Sequence, residues 1–340
     1  MEAKKTREFE QFDVVVDDSG HRFRDTKVVK VFSDTRSGLY KRIMKEWKIL
    51  ENNLPESIYV KVYERRIDLM RAVIVGAAGT PYHDGLFFFD ILFPSDYPNR
   101  PPKLYYHSFG YRLNPNLYNN GTVCLSLLNT WSGKKTERWD PGNSTILQVL
   151  LSIQALVLNE KPFFNEPGVD GFASLIMMNL EKKSRLYNEG AYFRTCKTSY
   201  QLLRRPPRNF EDFVKSHFRE RGDHIIKATR EYTSGRVRIG YYSCQSAPSS
   251  SSGVPVSWEF KRWMKDFSPD FFHALRRNAG SLSNSGGAGF SCMVDYFFVR
   301  SDSADEDRTD GEESPNKGFF KTVMDRIKKS FGLKKTAKKE

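Results

Sequence analysis

The sequence predicts an α+β domain: a four-stranded antiparallel meander flanked by helices, with disordered extensions on either side. Three observations carry this. An amphipathic run opens at Leu39, a series of β-rich runs with short links follows, and a long apolar run begins after Thr145. With 340 residues, the chain exceeds one average domain, so a compact core with flanking segments is expected. Phe, Tyr and Trp make up 14% of it, ample to fill a core.

Taken in order, residues 1–33 mix charges with a short Val14-Val15-Val16 run and no sustained periodicity, which reads as a flexible arm. Leu39, Ile43, Trp47, Leu50 and Leu54 then recur at steps of three and four, while Lys41, Arg42, Lys45 and Lys48 fall on the other faces. This predicts a helix with a basic exposed side that ends near Pro55. Residues 57–63, 68–75 and 85–93 are rich in β-branched and aromatic residues, and 103–106 adds a fourth strand. Pro94, Pro98, Pro101 and Pro102 exclude a central strand and hold a stiff connection. Asn119-Asn120-Gly121 signals a turn.

Thr145 and Gln148 have capping-box spacing ahead of an apolar helix from Ile146 to Leu158. Residues 171–204 read as helical with a break near Gly190, and Phe210, Phe213, Val214 and Phe218 suggest one more helix. The resulting division is an arm at 1–33, a core at 34–205, a helical extension at 206–242 and a largely disordered tail at 243–340. Within that tail, Ser-rich 246–254 and Gly/Ser/Asn-rich 280–289 bracket an aromatic, basic island from Trp258 to Arg277. Phe320, Val323, Ile327 and Phe331 space a basic amphipathic helix over 316–333, suited to an anionic membrane surface or an acidic protein face.

The four cysteines, 124, 196, 244 and 292, lie far apart without a C-x-x-C pair. That argues against a zinc site and a disulfide framework, and favours a reducing compartment, cytoplasmic or nuclear. No apolar leader and no apolar run near 18 residues is visible, so neither a signal peptide nor a membrane span is expected. The net charge of +13 raises a nucleic-acid reading, but no zinc finger, RNA-binding strand motif or basic zipper supports it. A basic surface for acidic partner faces is the simpler reading.

The chemistry centres on Cys124. It lies eight residues after Asn116, in Asn114-Pro115-Asn116 followed by the Asn119-Asn120-Gly121 turn. A thiolate accepts an acyl group from a thioester and releases it to an amine. Asn116 can offer an amide N–H to the oxyanion formed on the way, or can simply tie its own turn. A cysteine-protease reading needs a histidine beside the thiol, and His107, nearest in sequence, has no partner signature.

Together with the Pro run from Phe93 to Lys103, this stretch resembles the core of the ubiquitin-conjugating enzymes, over roughly Leu39 to Arg205. Thr80-Pro81-Tyr82, Trp139 and Pro141 are similar to further family segments. The resemblance implies a four-stranded antiparallel sheet with a helix at each end, ubiquitin carried as a thioester on Cys124, and transfer to a substrate lysine. The implied partners are ubiquitin, its activating enzyme, protein substrates and usually a ubiquitin ligase; no cofactor and no metal are implied. Asn116 stands at the family's catalytic asparagine, with Asn114, Pro115 and Ser126 in supporting positions. Asn114 replaces a common histidine and Ser126 a common aspartate. Glu166 falls where the family often has an acidic residue that orients or deprotonates the incoming lysine. Ligase contact would use Arg42 and Lys45, the Pro98-Asn99 loop, and the loop with Trp139 and Pro141; Asn99 stands where many members present an aromatic. The long link from Cys124 to Trp139, Phe163-Phe164-Asn165-Glu166 and Arg204-Arg205-Pro206-Pro207 are similar to the large members of the family, some of which act as their own ligase. Phe9-Glu10-Gln11-Phe12-Asp13 resembles the arm of plant members. Two other readings remain: conjugation of a ubiquitin-like modifier, and a non-catalytic binding module, against which the presence of Cys124 speaks.

Overall fold

A computed structural model describes residues 9–27, 32, 34–131, 135–166, 177–243 and 253–280. The order is β1 (Phe12–Val15), α1 (Gly38–Asn53), β2 (Ile58–Tyr63), β3 (Arg66–Val75), β4 (Leu86–Leu92), β5 (Lys103–Tyr106), α2 (Ile146–Ser152), α3 (Met177–Arg204), α4 (Glu211–Ser234) and α5 (Trp258–Gly280).

The fold class is α+β, with strands β2 to β5 in the expected antiparallel meander. The sheet nevertheless has five strands. β1, from the segment expected to be a flexible arm, pairs parallel to β2 with Phe12 opposite Val60 and Val15 opposite Tyr63. Its order has a physical source. Lys61 Nζ lies 2.6 Å from Asp13 and 4.1 Å from the centre of the Phe9 ring, and Phe12 packs edge-on against Trp47. Further along, Arg71 on β3 donates to the Gly20 carbonyl at 2.6 Å, and Asp90 on β4 accepts from the Arg22 backbone N–H at 2.7 Å. Arg71 and Asp90 face each other across the ladder, both buried. Burial alone would raise the Asp90 carboxyl, but hydrogen bonds from His107 and Arg71 hold it well below the usual carboxylate range.

β3 and β4 are buried on both faces, so the alternation typical of a half-wet antiparallel sheet is missing. The cross-strand row Tyr59, Val73, Phe88 shows why: Val73 and Phe88 share one hydrophobic cluster with Phe210 and Phe218 from the α4 region and with Phe260, Met264 and Phe271 from α5, and Tyr59 packs against it. The tail expected to be largely disordered therefore contributes α5, which packs against α3 and α4. Ser257 caps it, accepting from the Phe260 N–H at 3.1 Å and bonding the buried Glu189 carboxylate. The 205/206 division is a turn in the chain; the packing runs across it.

Two helices differ in detail. α3 runs straight through Gly190, because Ala191, Tyr192 and Cys196 are buried beside it and packing outweighs the glycine's cost of about 0.5–1 kcal/mol. α2 begins with the Thr145–Gln148 capping box but relaxes after Ser152 into a wider turn over Ile153–Val157, where the Leu158 N–H bonds the Ile153 carbonyl.

Asp84, in the loop before β4, accepts from His83, His224 and Arg221 at 2.9, 2.8 and 2.7 Å, and its backbone carbonyl meets His217 at 2.9 Å. Burial would raise this carboxyl; the two histidine hydrogen bonds hold it well below the ordinary value. His83, Asp84 and His224 bring one possible metal-ligating atom each within 4.8 Å, but the Arg221 guanidinium already supplies the cation on that carboxylate. The cluster acts as a charged lock between α4 and the core. No described helix is long and apolar enough to cross a membrane. The 316–333 helix, Cys244 and Cys292 lie outside the described residues.

Candidate active site

The turn after β5 builds the site. Gly121 has φ +87° and passes so close to Tyr105 that a Cβ would lie 2.2 Å from its ring, so only glycine permits the turn. The Tyr106 N–H bonds the Gly121 carbonyl at 2.8 Å, and a short bridge joins Leu117 to Val123. This returns the chain so that Asn116 and Cys124 pair reciprocally. The Cys124 N–H donates to the Asn116 carbonyl at 2.9 Å, and Asn116 Nδ2 donates to the Cys124 carbonyl at 3.0 Å. Both residues are only 8% exposed.

Asn114, standing for a histidine, is fully buried and spends its whole amide locally. Nδ2 donates to Tyr82 Oη at 2.8 Å and to the Val157 carbonyl at 2.7 Å; Oδ1 accepts from the Asn116 N–H at 2.8 Å. The wide turn after α2 leaves the Val157 carbonyl free for this. The same carbonyl also takes Asn165 Nδ2 at 3.2 Å, so the loop ending in Glu166 and the Asn-Pro-Asn turn hang from one atom. Pro115 is buried between its two asparagines. Ser126 begins a short helical turn, 126–128, whose carbonyl takes the Asn129 N–H at 3.0 Å. Thr130 pins the chain on both sides of the cysteine, donating to the Val123 carbonyl at 2.7 Å and accepting from the Leu125 N–H at 3.0 Å.

Partial burial pushes the Cys124 thiol up; a hydrogen bond with Tyr118 and the Arg112 charge pull it back without cancelling the rise. Arg112 lies over the Tyr118 ring at 4.6 Å and pairs with Glu166 Oε1 at 3.4 Å. Glu166 is thereby joined to the cysteine through Arg112 and Tyr118. Sequence reasoning missed Arg112, Tyr118, Thr130 and Tyr82. Tyr118 and Arg112 flank the quoted motif, but only the fold reveals what they touch. His107 lies 3.1 Å from Asp90, committed to that buried carboxylate, and offers no base to the thiol.

Of the residues assigned to ligase contact, Trp139 meets Pro98, while Arg42 is engaged within the fold. Trp139 Nε1 donates to the Pro98 carbonyl at 2.6 Å, and the Trp139 and Tyr97 rings lie 5.7 Å apart, which joins the two loops. Arg42 donates to the Ser144 carbonyl at 2.8 Å and pairs with fully buried Glu46 at 3.1 Å. Glu46 also accepts from Tyr97 Oη at 2.7 Å and the Ile146 N–H at 3.0 Å, so Arg42 serves the junction of α1, α2 and the Pro loop. Lys45, Asn99 and Pro141 are exposed.

An antiparallel meander, β2 to β5, carrying a cysteine paired with the last residue of Asn-Pro-Asn is a scaffold for a thiol-centred site. Residues 42–191 match the ubiquitin-conjugating enzyme family. The putative ubiquitin-conjugating enzyme E2 38 of Arabidopsis thaliana is 51% identical over 251 residues, covering 72% of this chain and 76% of that protein. The chain belongs to the ubiquitin-conjugating enzyme family. The probable ubiquitin-conjugating enzyme E2 24 of the same plant is 50% identical over 267 residues, covering 78% of this chain and 29% of that protein. The dual E2 ubiquitin-conjugating enzyme/E3 ubiquitin-protein ligase BIRC6 of Homo sapiens is 37% identical over 229 residues, covering 63% of this chain and 5% of that protein. The chain thus spans well under half the length of several relatives, such as the 24% of the probable ubiquitin-conjugating enzyme E2 23 of Arabidopsis thaliana.

Proposed function

We propose that Cys124 accepts ubiquitin as a thioester from an activating enzyme and that the chain passes it to a substrate lysine. The observation that carries this is the reciprocal pairing of Asn116 with Cys124, which fixes a side-chain amide beside an acyl-accepting thiol. An amide carries two N–H donors; one holds the Cys124 carbonyl, and the other is the donor for the oxyanion that forms when lysine attacks. Glu166 orients the incoming ammonium at the rim. Charging the full chain with ubiquitin and with ubiquitin-like modifiers, each with its own activating enzyme and ATP, tests the reading. Charging by ubiquitin alone is the expected result. Charging only by another modifier replaces ubiquitin as the substrate, and no charging at all leaves the non-catalytic module.

A second reading, transfer without a separate ligase, is favoured by Arg42 being spent within the fold and by the dual name of one relative. It predicts multiple turnover onto lysine in a reaction holding only the activating enzyme, ubiquitin, ATP and this chain.

A further inference from the structure

The wide turn over Ile153–Val157 ends the run of helical hydrogen bonds begun in α2, so its last carbonyls need partners from elsewhere. Three asparagine side chains supply them. Asn159 Nδ2 donates to the Leu156 carbonyl at 2.8 Å, while Asn114 and Asn165 both donate to the Val157 carbonyl, at 2.7 and 3.2 Å. Asn165 is also held from its other end, because its Oδ1 accepts from Asn159 Nδ2 at 2.8 Å. Both polar atoms of the Asn165 amide are therefore clamped. Asn165 closes a short helical turn, Pro162–Asn165, and Glu166 is the next residue. A series of hydrogen bonds runs from this clamp to the cysteine: Asn165 to the Val157 carbonyl, that carbonyl to Asn114, Asn114 Oδ1 to the Asn116 N–H at 2.8 Å, and Asn116 to Cys124 through their reciprocal pair. The Glu166 side chain is itself 39% exposed and meets Arg112 at 3.4 Å, and an exposed ion pair of that kind holds a carboxylate loosely. What fixes the place of Glu166 is the amide of the residue before it.

We propose that Asn165, clamped by Asn159, is a positioning residue for the discharge half of the reaction. It holds the backbone at Glu166 at a set offset from the Asn116–Cys124 pair, so that the carboxylate meets the lysine that attacks there. This rests on the reading that Cys124 carries the thioester and that Glu166 orients the lysine. In that step the lysine ammonium gives one proton to the Glu166 carboxylate, and the free amine forms a carbon–nitrogen bond to the acyl carbon. The tetrahedral oxyanion collapses, the carbon–sulfur bond breaks and the Cys124 thiolate leaves. The nitrogen's second proton passes to solvent, and the Glu166 carboxyl then returns its own. In charging the nucleophile is the Cys124 sulfur and no lysine takes part, so the clamp has no role there. The loop keeps other anchors when the clamp is cut. Asn188 Nδ2 on α3 donates to the Glu160 carbonyl at 2.9 Å, and the Phe163 ring lies 6.2 Å from that of Tyr187.

The experiment charges the full chain with ubiquitin, stops the activating enzyme, and follows loss of the thioester with and without added lysine. The proteins are wild type, Asn165→Ala, Asn165→Asp, Asn159→Ala, Glu166→Gln and the double variant Asn165→Ala/Glu166→Gln. Asn165→Ala is expected to discharge to lysine on the order of tenfold more slowly, with charging and lysine-free hydrolysis within about twofold of wild type, since a small misplacement slows only the step that needs the placed group. Asn165→Asp keeps the acceptor for Asn159 but sets a carboxylate oxygen against the Val157 carbonyl, and is expected to lose as much. Asn159→Ala is expected to lose less, in the same direction. Glu166→Gln is expected to be at least as slow as Asn165→Ala, and the double variant no slower than Glu166→Gln, because Asn165 acts through Glu166. Lysine discharge of Asn165→Ala at the wild-type rate overturns the proposal. So do losses that multiply in the double variant, and so does equal slowing of charging, hydrolysis and discharge, the mark of a residue that only closes a helix end. Wild-type discharge by Glu166→Gln overturns the role of Glu166 and this proposal with it. A wild type that never forms a thioester overturns the earlier reading, and shows on the gel before any lysine is added.

Discussion

Under the proposed function, Asn116 has two physical jobs that separate in time. In the resting site one of its N–H groups holds the Cys124 carbonyl, a structural bond worth about 1 kcal/mol. During lysine attack its second N–H faces an oxyanion, where losing one donor costs about 2.7–4 kcal/mol, or roughly 100–1,000-fold in rate. Asn116→Ala should therefore charge almost normally and discharge to lysine at least about a hundredfold more slowly in a single-turnover assay; equal losses in both steps leave only the structural role. The proposed function places Glu166 in discharge. Glu166→Gln should raise the pH at which lysine discharge is half-maximal, because an amine of intrinsic pKa about 10.4 loses its acceptor. A discharge profile unchanged in pH reduces Glu166 to the partner of Arg112. Cys124 and Asn116 were legible because their spacing is rigid in sequence. Arg112 and Tyr118 were not, since what matters is a guanidinium stacked over a ring and paired with Glu166, relations that exist only after the turn closes.

Elements with strong local signals were legible for the same kind of reason: α1 from its apolar spacing, α2 from its capping box, β2 to β5 from their apolar runs. β1 and α5 were not. Val14-Val15-Val16 has no alternation to mark a face, and what orders it is the Lys61–Asp13 pair and Phe9 in a distant cluster. In α5 the buried Phe260, Met264, Phe271 and Leu275 do recur at helical spacing, but exposed Trp258 and Trp263, Pro269 and the flanking Ser- and Gly-rich stretches obscured the face. If α5 is core, Phe271→Ala should cost about 3–5 kcal/mol in denaturant unfolding. Trp258→Ala, at 65% exposure, should stay within about 0.5 kcal/mol of wild type. Equal small effects at both positions would mean that α5 does not contribute to the stability of the fold.

At the scale of the molecule, a sheet covered on both faces is fastened by two buried carboxylates, Asp84 binding α4 and Asp90 binding the N-terminal segment. Both are held below their unfolded values, so the stability they supply is full above about pH 4 and drains away as pH falls from there towards their folded values. Glu46 is raised chiefly by burial and has the opposite sign, gaining stability on acidification. The expected result is a urea midpoint that declines gently below about pH 6.5, where burial holds His21 and His217 below the ordinary histidine value, and falls steeply below about pH 4, with a shallower steep fall in Asp90→Asn; an identical slope in that variant removes Asp90 from the account. All of this scaffolding serves one thiol. The most direct measurement is therefore to incubate the full chain with activating enzyme, ubiquitin and ATP, and to compare gels run with and without reductant for wild type, Cys124→Ala and Cys124→Ser. The account predicts a ubiquitin adduct that reductant removes from the wild type, none on Cys124→Ala, and a reductant-resistant ester on Cys124→Ser. A reductant-sensitive adduct that persists on Cys124→Ala would contradict it.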